Sequence, residues 1–123
     1  MSPKFFGLIA CYAACALSLP TASNIDKRSI APNTQSCTAT DHGEDVISYG
    51  VHIGIAYNGG SGCNDVYNAL EDATHYVSNW QCVDDGSGDT QLYFNDYVNN
   101  QDGINSALHR MYPTVNSFNC PGY

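Results

Sequence analysis

The sequence predicts an α+β protein, a two-layer α/β sandwich in which two helices cover one face of a four-stranded antiparallel sheet. The elements are expected in the order βαββαβ. Three observations indicate this class: one long stretch whose bulky residues recur at every second position, two stretches with helical periodicity, and four cysteines that follow residue 28. Each such element buries only one side, so a second layer must cover it.

The clearest strand is the stretch 47–57, in which bulky and small residues alternate. The bulky residues are Ile47, Tyr49, Val51, Ile53, Ile55 and Tyr57. Because successive side chains of a strand point to opposite faces, the bulky set is expected to pack on the helices. At roughly 3.3 Å per residue the stretch spans about 35 Å, longer than most strands, so a bend at Gly50 or Gly54 is expected.

The helical stretches lie on either side of a predicted hairpin. In residues 63–77 the apolar positions follow helical spacing: Cys63, Val66, Tyr67, Leu70, Ala73, Thr74 and Val77. Asn64 or Ser61 is expected to cap this helix. The second helix has a shorter apolar stripe, formed by Ile104, Ala107, Leu108 and Met111. Asn100 or Asp102 is its expected cap, and Pro113 follows its end.

The remaining stretches complete the predicted sheet. Residues 76–83 and 91–98 are expected to be strands joined by the Gly- and Asp-rich loop 84–89, and residues 114–120 are expected to be the last strand. Residues 29–45 are polar and contain Pro and Gly, so they are expected to form an irregular arm.

The N-terminus has the pattern of a secretory leader. A short basic start precedes the apolar run 5–19, and small residues follow it, so residues 1–23 are predicted to be a signal peptide. Residues 24–28 are predicted to be a pro-segment that a kexin-type protease cuts after Lys27-Arg28. A chance basic pair in a linker is the alternative. Residues 29–123 then form a single secreted domain.

Four cysteines remain in that domain, an even number that predicts two disulfides in an oxidising compartment. In the predicted topology the strand after the first helix returns to the level of the helix start, which brings Cys82 to Cys63. The last strand ends where the first begins, which brings Cys120 to Cys37. We therefore predict the pairs Cys63–Cys82 and Cys37–Cys120. The spacings suit no zinc site, and no metal or cofactor is expected.

The predicted domain is strongly acidic. Of the four basic residues it keeps only Arg110, and of the twelve acidic residues it loses only Asp26, so its formal net charge is 1 − 11 = −10. Such a domain repels phosphate backbones and anionic lipid headgroups. We therefore expect no nucleic-acid binding, and the predicted domain contains no candidate membrane span.

Several motifs together resemble a family of secreted fungal proteins. Gly62-Cys63 opens the first helix, Trp80-x-Cys82 lies in the next strand, the run 99–102 precedes the second helix, and Cys120 closes the domain. Over residues 37–120 this arrangement resembles the killer-toxin-like α/β-sandwich proteins, which include virally encoded killer toxins and small effectors of plant-associated fungi. Some of those proteins have more cysteines than this chain.

The resemblance implies a secreted protein that acts on a host or a competing microbe as a toxin, effector or virulence factor, without catalysis. It implies an extracellular location, such as the host apoplast, and an unidentified target on a host or microbial surface. We expect a monomer.

An enzyme is the first alternative. His42 and Glu44 in the arm, together with His109 and Arg110 in the second helix, are the residue types of a metal-independent ribonuclease. The composition also resembles small acidic fungal guanyl-specific ribonucleases, but those enzymes place their catalytic residues on successive strands after one long helix. His52, without a partner identifiable in the sequence, is expected to be a solvated strand histidine. No residue is therefore predicted to be catalytic.

Two further groups of residues suggest binding. Asp84, Asp85 and Asp89 are the residue type that binds calcium, but their spacing fails the EF-hand pattern, so a solvated turn is expected. Tyr93 and Tyr97 alternate with Leu92 and Phe94, and the pattern leaves open which pair is exposed. Exposed tyrosines beside Asn and Asp would suit a carbohydrate-binding, lectin-like module, which is the second alternative.

Overall fold

The computed structural model describes residues 30–123. The predicted signal peptide (1–23), the pro-segment (24–28) and its dibasic site Lys27-Arg28 lie outside the described residues. The elements in chain order are β1 (Gln35–Asp41), β2 (Val46–Ala56), a 3₁₀ turn (Asn58–Gly60), α1 (Cys63–Thr74), β3 (Ser78–Asp84), β4 (Asp89–Tyr97) and α2 (Gln101–Met111). Within residues 30–123 no helix is long and apolar enough to cross a membrane.

The four strands form one sheet in the order β1-β2-β4-β3, and every neighbouring pair is antiparallel. With its two helices and two disulfides, this sheet confirms the predicted fold class. The long alternating stretch is β2, which lies inside the sheet between β1 and β4. The register between β2 and β4 shifts between Ile53 and Ala56, so the irregularity falls at Gly54, one of the two glycines where a bend was expected.

Two predicted segments are wrong. Residues 29–45, predicted as an irregular arm, contain β1, which pairs with β2 over its whole length. Residues 114–120, predicted as the last strand, contain no strand. The order of elements over the described residues is therefore ββαββα rather than βαββαβ.

Both errors have a physical reason. The inward residues of β1, Cys37 and Ala39, are small and only half-buried, so this edge strand lacks the hydrophobic alternation that marks β2. In the C-terminal segment Val115 and Phe118 are buried, but they lie three positions apart. The backbone of Cys120 bonds to a side chain instead of a strand: its N–H donates to Asn105 Oδ1 at 2.7 Å and its carbonyl accepts from Asn105 Nδ2 at 3.2 Å.

The ends of α1 also differ from the prediction. The helix ends at Thr74, three residues early, because His75 takes the left-handed conformation with a φ of 69°. Gly62 occupies the N-cap position, and no side chain caps the helix, so the predicted caps Ser61 and Asn64 are wrong.

The start of α2 lies one residue beyond Asn100, one of the two predicted caps. The Asn100 side chain does not bond to the first turn of its helix. It donates instead to Asp96 Oδ1 at 2.8 Å. This bond ties the end of β4 to the beginning of the helix.

Both helices pack on the bulky face of the sheet, as predicted. The sheet contributes Ile47, Tyr49, Val51, Ile53, Leu92 and Phe94 to the core, and the helices contribute Val66, Ala69, Leu70, Ile104, Ala107 and Leu108. The six sheet residues are at most 2% exposed. We call this side of the sheet the covered face.

Both predicted disulfides are confirmed. Cys37 in β1 is bonded to Cys120 across a sequence separation of 83 residues, and Cys63 at the start of α1 is bonded to Cys82 in β3 across 19 residues. The prediction of the Cys37–Cys120 pair is confirmed although the segment that carries Cys120 is not a strand. Each bridge joins the sheet to the layer that covers it.

Candidate functional site

The face of the sheet opposite the helices is the open face. The register places on it Ser36, Thr38 and Thr40 of β1, Val46, Ser48, Gly50 and His52 of β2, Gln91, Tyr93, Asn95 and Tyr97 of β4, and Ser78, Gln81 and Val83 of β3. None of these residues is Asp, Glu, Lys or Arg. The face ends at Gly54, where residues 31–34 cross the sheet and a Cβ added to the glycine would lie 2.1 Å from the carbonyl oxygen of Ala31.

Large apolar side chains collect on the open face. Tyr93 is 47% exposed and Tyr97 46%, whereas Leu92 and Phe94 are buried, so the structure decides which pair of β4 points outward. Five large apolar or aromatic residues are exposed in residues 30–123, and four of them lie on or beside this face: Tyr76, Val83, Tyr93 and Tyr97. Such a concentration is typical of a binding surface.

The tyrosines form two aromatic platforms. Tyr93 lies across from Gly50, where an added Cβ would be 3.7 Å from the tyrosine ring, so the ring lies beside bare backbone. The rings of Tyr97 and Tyr76 stack with centroids 4.5 Å apart and planes inclined by 16°. Because Tyr97 follows Tyr93 by four positions on β4, the two platforms start from points about 13 Å apart along the strand.

A chain of hydrogen bonds orders the polar groups between the platforms. The Ser48 hydroxyl donates to Asn95 Oδ1 at 2.7 Å, and His42 Nε2 lies 2.7 Å from the same hydroxyl. Since that hydroxyl has a single proton, Nε2 of His42 is the donor in its bond to Ser48. The bonds fix the orientation of the Asn95 amide.

His52 at the corner of the face has an acidic partner. Its Nε2 donates to Asp85 Oδ2 at 2.6 Å, and the His52 and Asp85 side chains are 21% and 3% exposed. The prediction of a solvated strand histidine is therefore wrong, and so is that of a solvated turn at Asp85. The two residues are 33 positions apart, and no local signal in the sequence joins them.

The Asp85 carboxylate is saturated by donors from its own loop. Oδ1 accepts from the Ser87 backbone at 2.7 Å, the Ser87 hydroxyl at 2.8 Å and the Asp89 backbone at 3.1 Å. Burial raises the pKa of Asp85, but the bonds from His52, Ser87 and Asp89 outweigh it and hold the pKa well below the usual range. This carboxylate is therefore a structural anchor and a poor proton acceptor.

The ribonuclease candidates are not brought together. His42 bonds to Ser48 of β2, which lies four positions, or about 13 Å, along the strand from His52. Glu44 lies in the turn between β1 and β2, and His109 and Arg110 lie on α2, across the sheet from the open face. A general base must lie within hydrogen-bond reach of the proton it removes, and this dispersed set offers no common centre.

The loop carboxylates bind backbone groups of the loop itself. Asp84 Oδ1 accepts from the N–H groups of Gly86 and Gly88 at 2.7 and 3.0 Å. Over residues 30–123 no group of three or more His, Cys, Asp or Glu side chains is arranged to hold a metal ion.

Three depressions lie outside the open face. Their volumes are about 200, 360 and 220 Å³, and His109 lines the third together with Asn105, Ser106 and Phe118. Two of them are smaller than the roughly 300 Å³ at which small-molecule sites begin. The largest of the three is lined by residues 33–35 and 114–117, none of which is charged, histidine or aromatic. The open face, with its four exposed large side chains, is therefore the stronger candidate.

No protein-family model, curated protein or solved structure matches this chain. The resemblance to killer-toxin-like proteins therefore stays a prediction, and the geometry of the open face carries the functional interpretation.

The sequence pattern missed two residues of the open face. Asn95 lies between Tyr93 and Tyr97 at the next outward position, so the period of two would have found it once the tyrosines were known to point outward. Tyr76 was predicted to begin a strand, whereas β3 begins at Ser78. Its stacking on Tyr97 depends on the tertiary fold.

Proposed function

We propose that this chain is a secreted, non-enzymatic, killer-toxin-like effector that acts on a host or a competing microbe, and that the open face is its recognition surface. The observation that carries the proposal is the gathering of Tyr76, Val83, Tyr93 and Tyr97 on one helix-free face. Aromatic side chains of this kind dominate recognition because they bury much area at little entropic cost.

The dispersal of the catalytic candidates supports action by binding. His52 is held by a carboxylate of depressed pKa, and His109 and Arg110 lie on the other layer. Because residues 30–123 bring no acid, base and phosphate-binding group of the ribonuclease kind together, we favour action through affinity over bond cleavage.

The two disulfides support an extracellular site of action. Disulfides persist in oxidising compartments, and small secreted domains depend on them because their cores are small. Together with the predicted signal peptide and the dibasic site, they favour export, to the growth medium or to the host apoplast.

Biological assay of the purified protein tests the proposal. The oxidised chain is applied to competing yeasts and infiltrated into leaves, next to a reduced and alkylated sample. We expect growth arrest or host cell death from the oxidised protein only, and loss of the effect in Tyr93→Ala. Tyr123→Ala is the matched control, because Tyr123 is 49% exposed and bonds to Ala39 at the covered side.

An RNA cleavage assay tests the enzyme alternative. We expect no cleavage above that of a heat-denatured sample. Cleavage that disappears in His52→Ala or His109→Ala would replace the binding proposal by a ribonuclease.

A further inference from the structure

We propose that the open face binds a neutral glycan chain, with Tyr93 and the Tyr76–Tyr97 pair as its stacking platforms. This inference rests on the proposed function, because it names the class of molecule that the recognition surface would contact on a target cell.

The distribution of charge is the first argument. Eleven acidic residues lie between residues 29 and 123, and only Asp85 reaches the open face, where its carboxylate is 3% exposed and bonded to His52. The others lie in the turn between β1 and β2, on the helices, in the loop before β4 or on the covered face: Asp41, Glu44, Asp45, Asp65, Glu71, Asp72, Asp84, Asp89, Asp96 and Asp102.

This distribution argues against an anionic partner and gives a cationic one no direct contact on the open face. The negative field of the whole domain repels anionic polymers such as nucleic acids and acidic polysaccharides. The face itself offers no acidic group to a cationic peptide, since the Asp85 carboxylate is buried. A neutral ligand is not repelled by the field of the domain and needs no acidic partner on this surface.

The chemistry of the face favours a sugar over an apolar protein partner. The row between the aromatic platforms presents hydroxyl and amide groups, namely Thr40, Ser48, Asn95 and Ser78, and further such groups lie beside and beyond Tyr93: Ser36, Thr38, Gln81 and Gln91. A pyranose ring has an apolar face of C–H groups that stacks on an aromatic ring, and a rim of hydroxyls that bond to such groups.

The spacing of the platforms indicates the size of the ligand. A separation of about 13 Å along β4 exceeds the reach of one sugar ring, so an oligosaccharide is expected to contact both platforms. The Asn95 amide lies between them, and its orientation is set in advance by Ser48 and His42. This order lowers the entropy that binding would otherwise cost.

Titration calorimetry of the purified protein with defined oligosaccharides tests the proposal. The probes are the neutral chitohexaose, cellohexaose and laminarihexaose, with an oligogalacturonide as the anionic counterpart. We expect saturable binding of at least one neutral probe and none of the oligogalacturonide. Tyr93→Ala should weaken binding about tenfold, the loss expected for truncating one buried aromatic contact.

Matched variants decide whether the open face is responsible. Tyr97→Ala should also weaken binding, while Tyr123→Ala, the same substitution at similar exposure away from this face, should leave the affinity unchanged. Melting curves identify any variant that fails to fold, and the second tyrosine then supplies the test. Affinity that survives both open-face substitutions would overturn the assignment.

The results also separate this inference from the proposed function. Toxicity that requires Tyr93, without binding of any neutral probe, would refute the glycan and leave a protein target for the effector. Glycan binding that requires Tyr93, without any effect on cells or leaves, would support the glycan and refute the effector.

Discussion

The two faces of one sheet differ in what their residues do. On β4, Leu92 is fully buried against the helices, whereas its neighbour Tyr93 is 47% exposed on the open face. On β2, Val51 is buried and Gly50 opposes Tyr93. The alternation of a strand thus lets the same backbone hold a core on one side and present a recognition surface on the other.

The disulfides also distinguish the two faces, because both of them lie on the covered face. Cys37 lies opposite Val51 and Cys82 opposite Leu92, so both bridges leave the sheet on its covered face and tie down the layer above it. The open face contributes side chains that neither pack in the core nor cross-link it. Substitutions there should change binding at little cost in stability, and substitutions on the covered face should do the reverse.

Removal of a disulfide should have the largest effect. Replacing Cys37 and Cys120 together by Ser should lower the free energy of unfolding by about 4.5 kcal/mol, since an 83-residue separation is no longer closed in the unfolded chain. The same change at Cys63 and Cys82, which are separated by 19 residues, should cost about 3.3 kcal/mol. Urea unfolding measures both, and an equal loss would contradict the chain-entropy explanation.

Adjacent residues of β4 test the comparison of the faces most directly. Leu92→Ala should cost about 2–5 kcal/mol, because it leaves a cavity between sheet and helices. Tyr93→Ala should cost less than about 1 kcal/mol, because much of its ring is already solvated. Thermal and urea unfolding give both values, and a Tyr93 loss as large as that of Leu92 would mean that the open face is part of the core.

Two glycines of β2 test where the open face ends: Gly54 lies at its end, and Gly50 lies within it. Gly54→Ala should cost about 1–3 kcal/mol, because its Cβ would lie 2.1 Å from the Ala31 carbonyl oxygen and the backbone must move. Gly50→Ala meets only the Thr38 hydroxyl at 3.2 Å and the Tyr93 ring, and should stay within about 1 kcal/mol of the wild type. Equal melting temperatures for the two variants would argue against residues 31–34 covering the sheet at Gly54.

A pH-dependent effect should appear on the acid side of the stability curve. Because the folded-state pKa of Asp85 lies below its unfolded value of about 3.9, its contribution is complete above about pH 5 and is lost as the pH falls toward the folded-state pKa. Asp85→Asn should therefore flatten the decline in melting temperature between about pH 5 and pH 2.

Ser87→Ala is the graded control for this effect. It removes only the hydroxyl that donates to Asp85 and keeps the bonds from His52 and the backbone. It should reduce the acid-side decline partly. A decline as steep in Asp85→Asn as in the wild type would refute the role of this carboxylate.

Local periodicity alone determined most of the architecture. The alternation of β2 and the apolar stripes of the two helices predicted which faces meet, and four cysteines in a compact two-layer fold left the correct pairs of bridges. The apolar faces are encoded by neighbouring residues, whose spacing determines which side of an element is apolar, whereas the disulfide pairs followed from the predicted order of the elements. The length of the stretch and its glycines likewise predicted an irregularity at Gly50 or Gly54, and the register shift lies next to Gly54.

Only the tertiary structure decided the edge of the sheet and the composition of the site. β1 is a strand because β2 offers it a hydrogen-bonding edge, and Cys120 bonds to Asn105 because α2 brings that side chain to it. His52 and Asp85, or Tyr76 and Tyr97, meet across loops whose paths no local pattern specifies. Short-range spacing encodes which side of an element is apolar, whereas contacts between distant residues depend on how the elements are placed around the core.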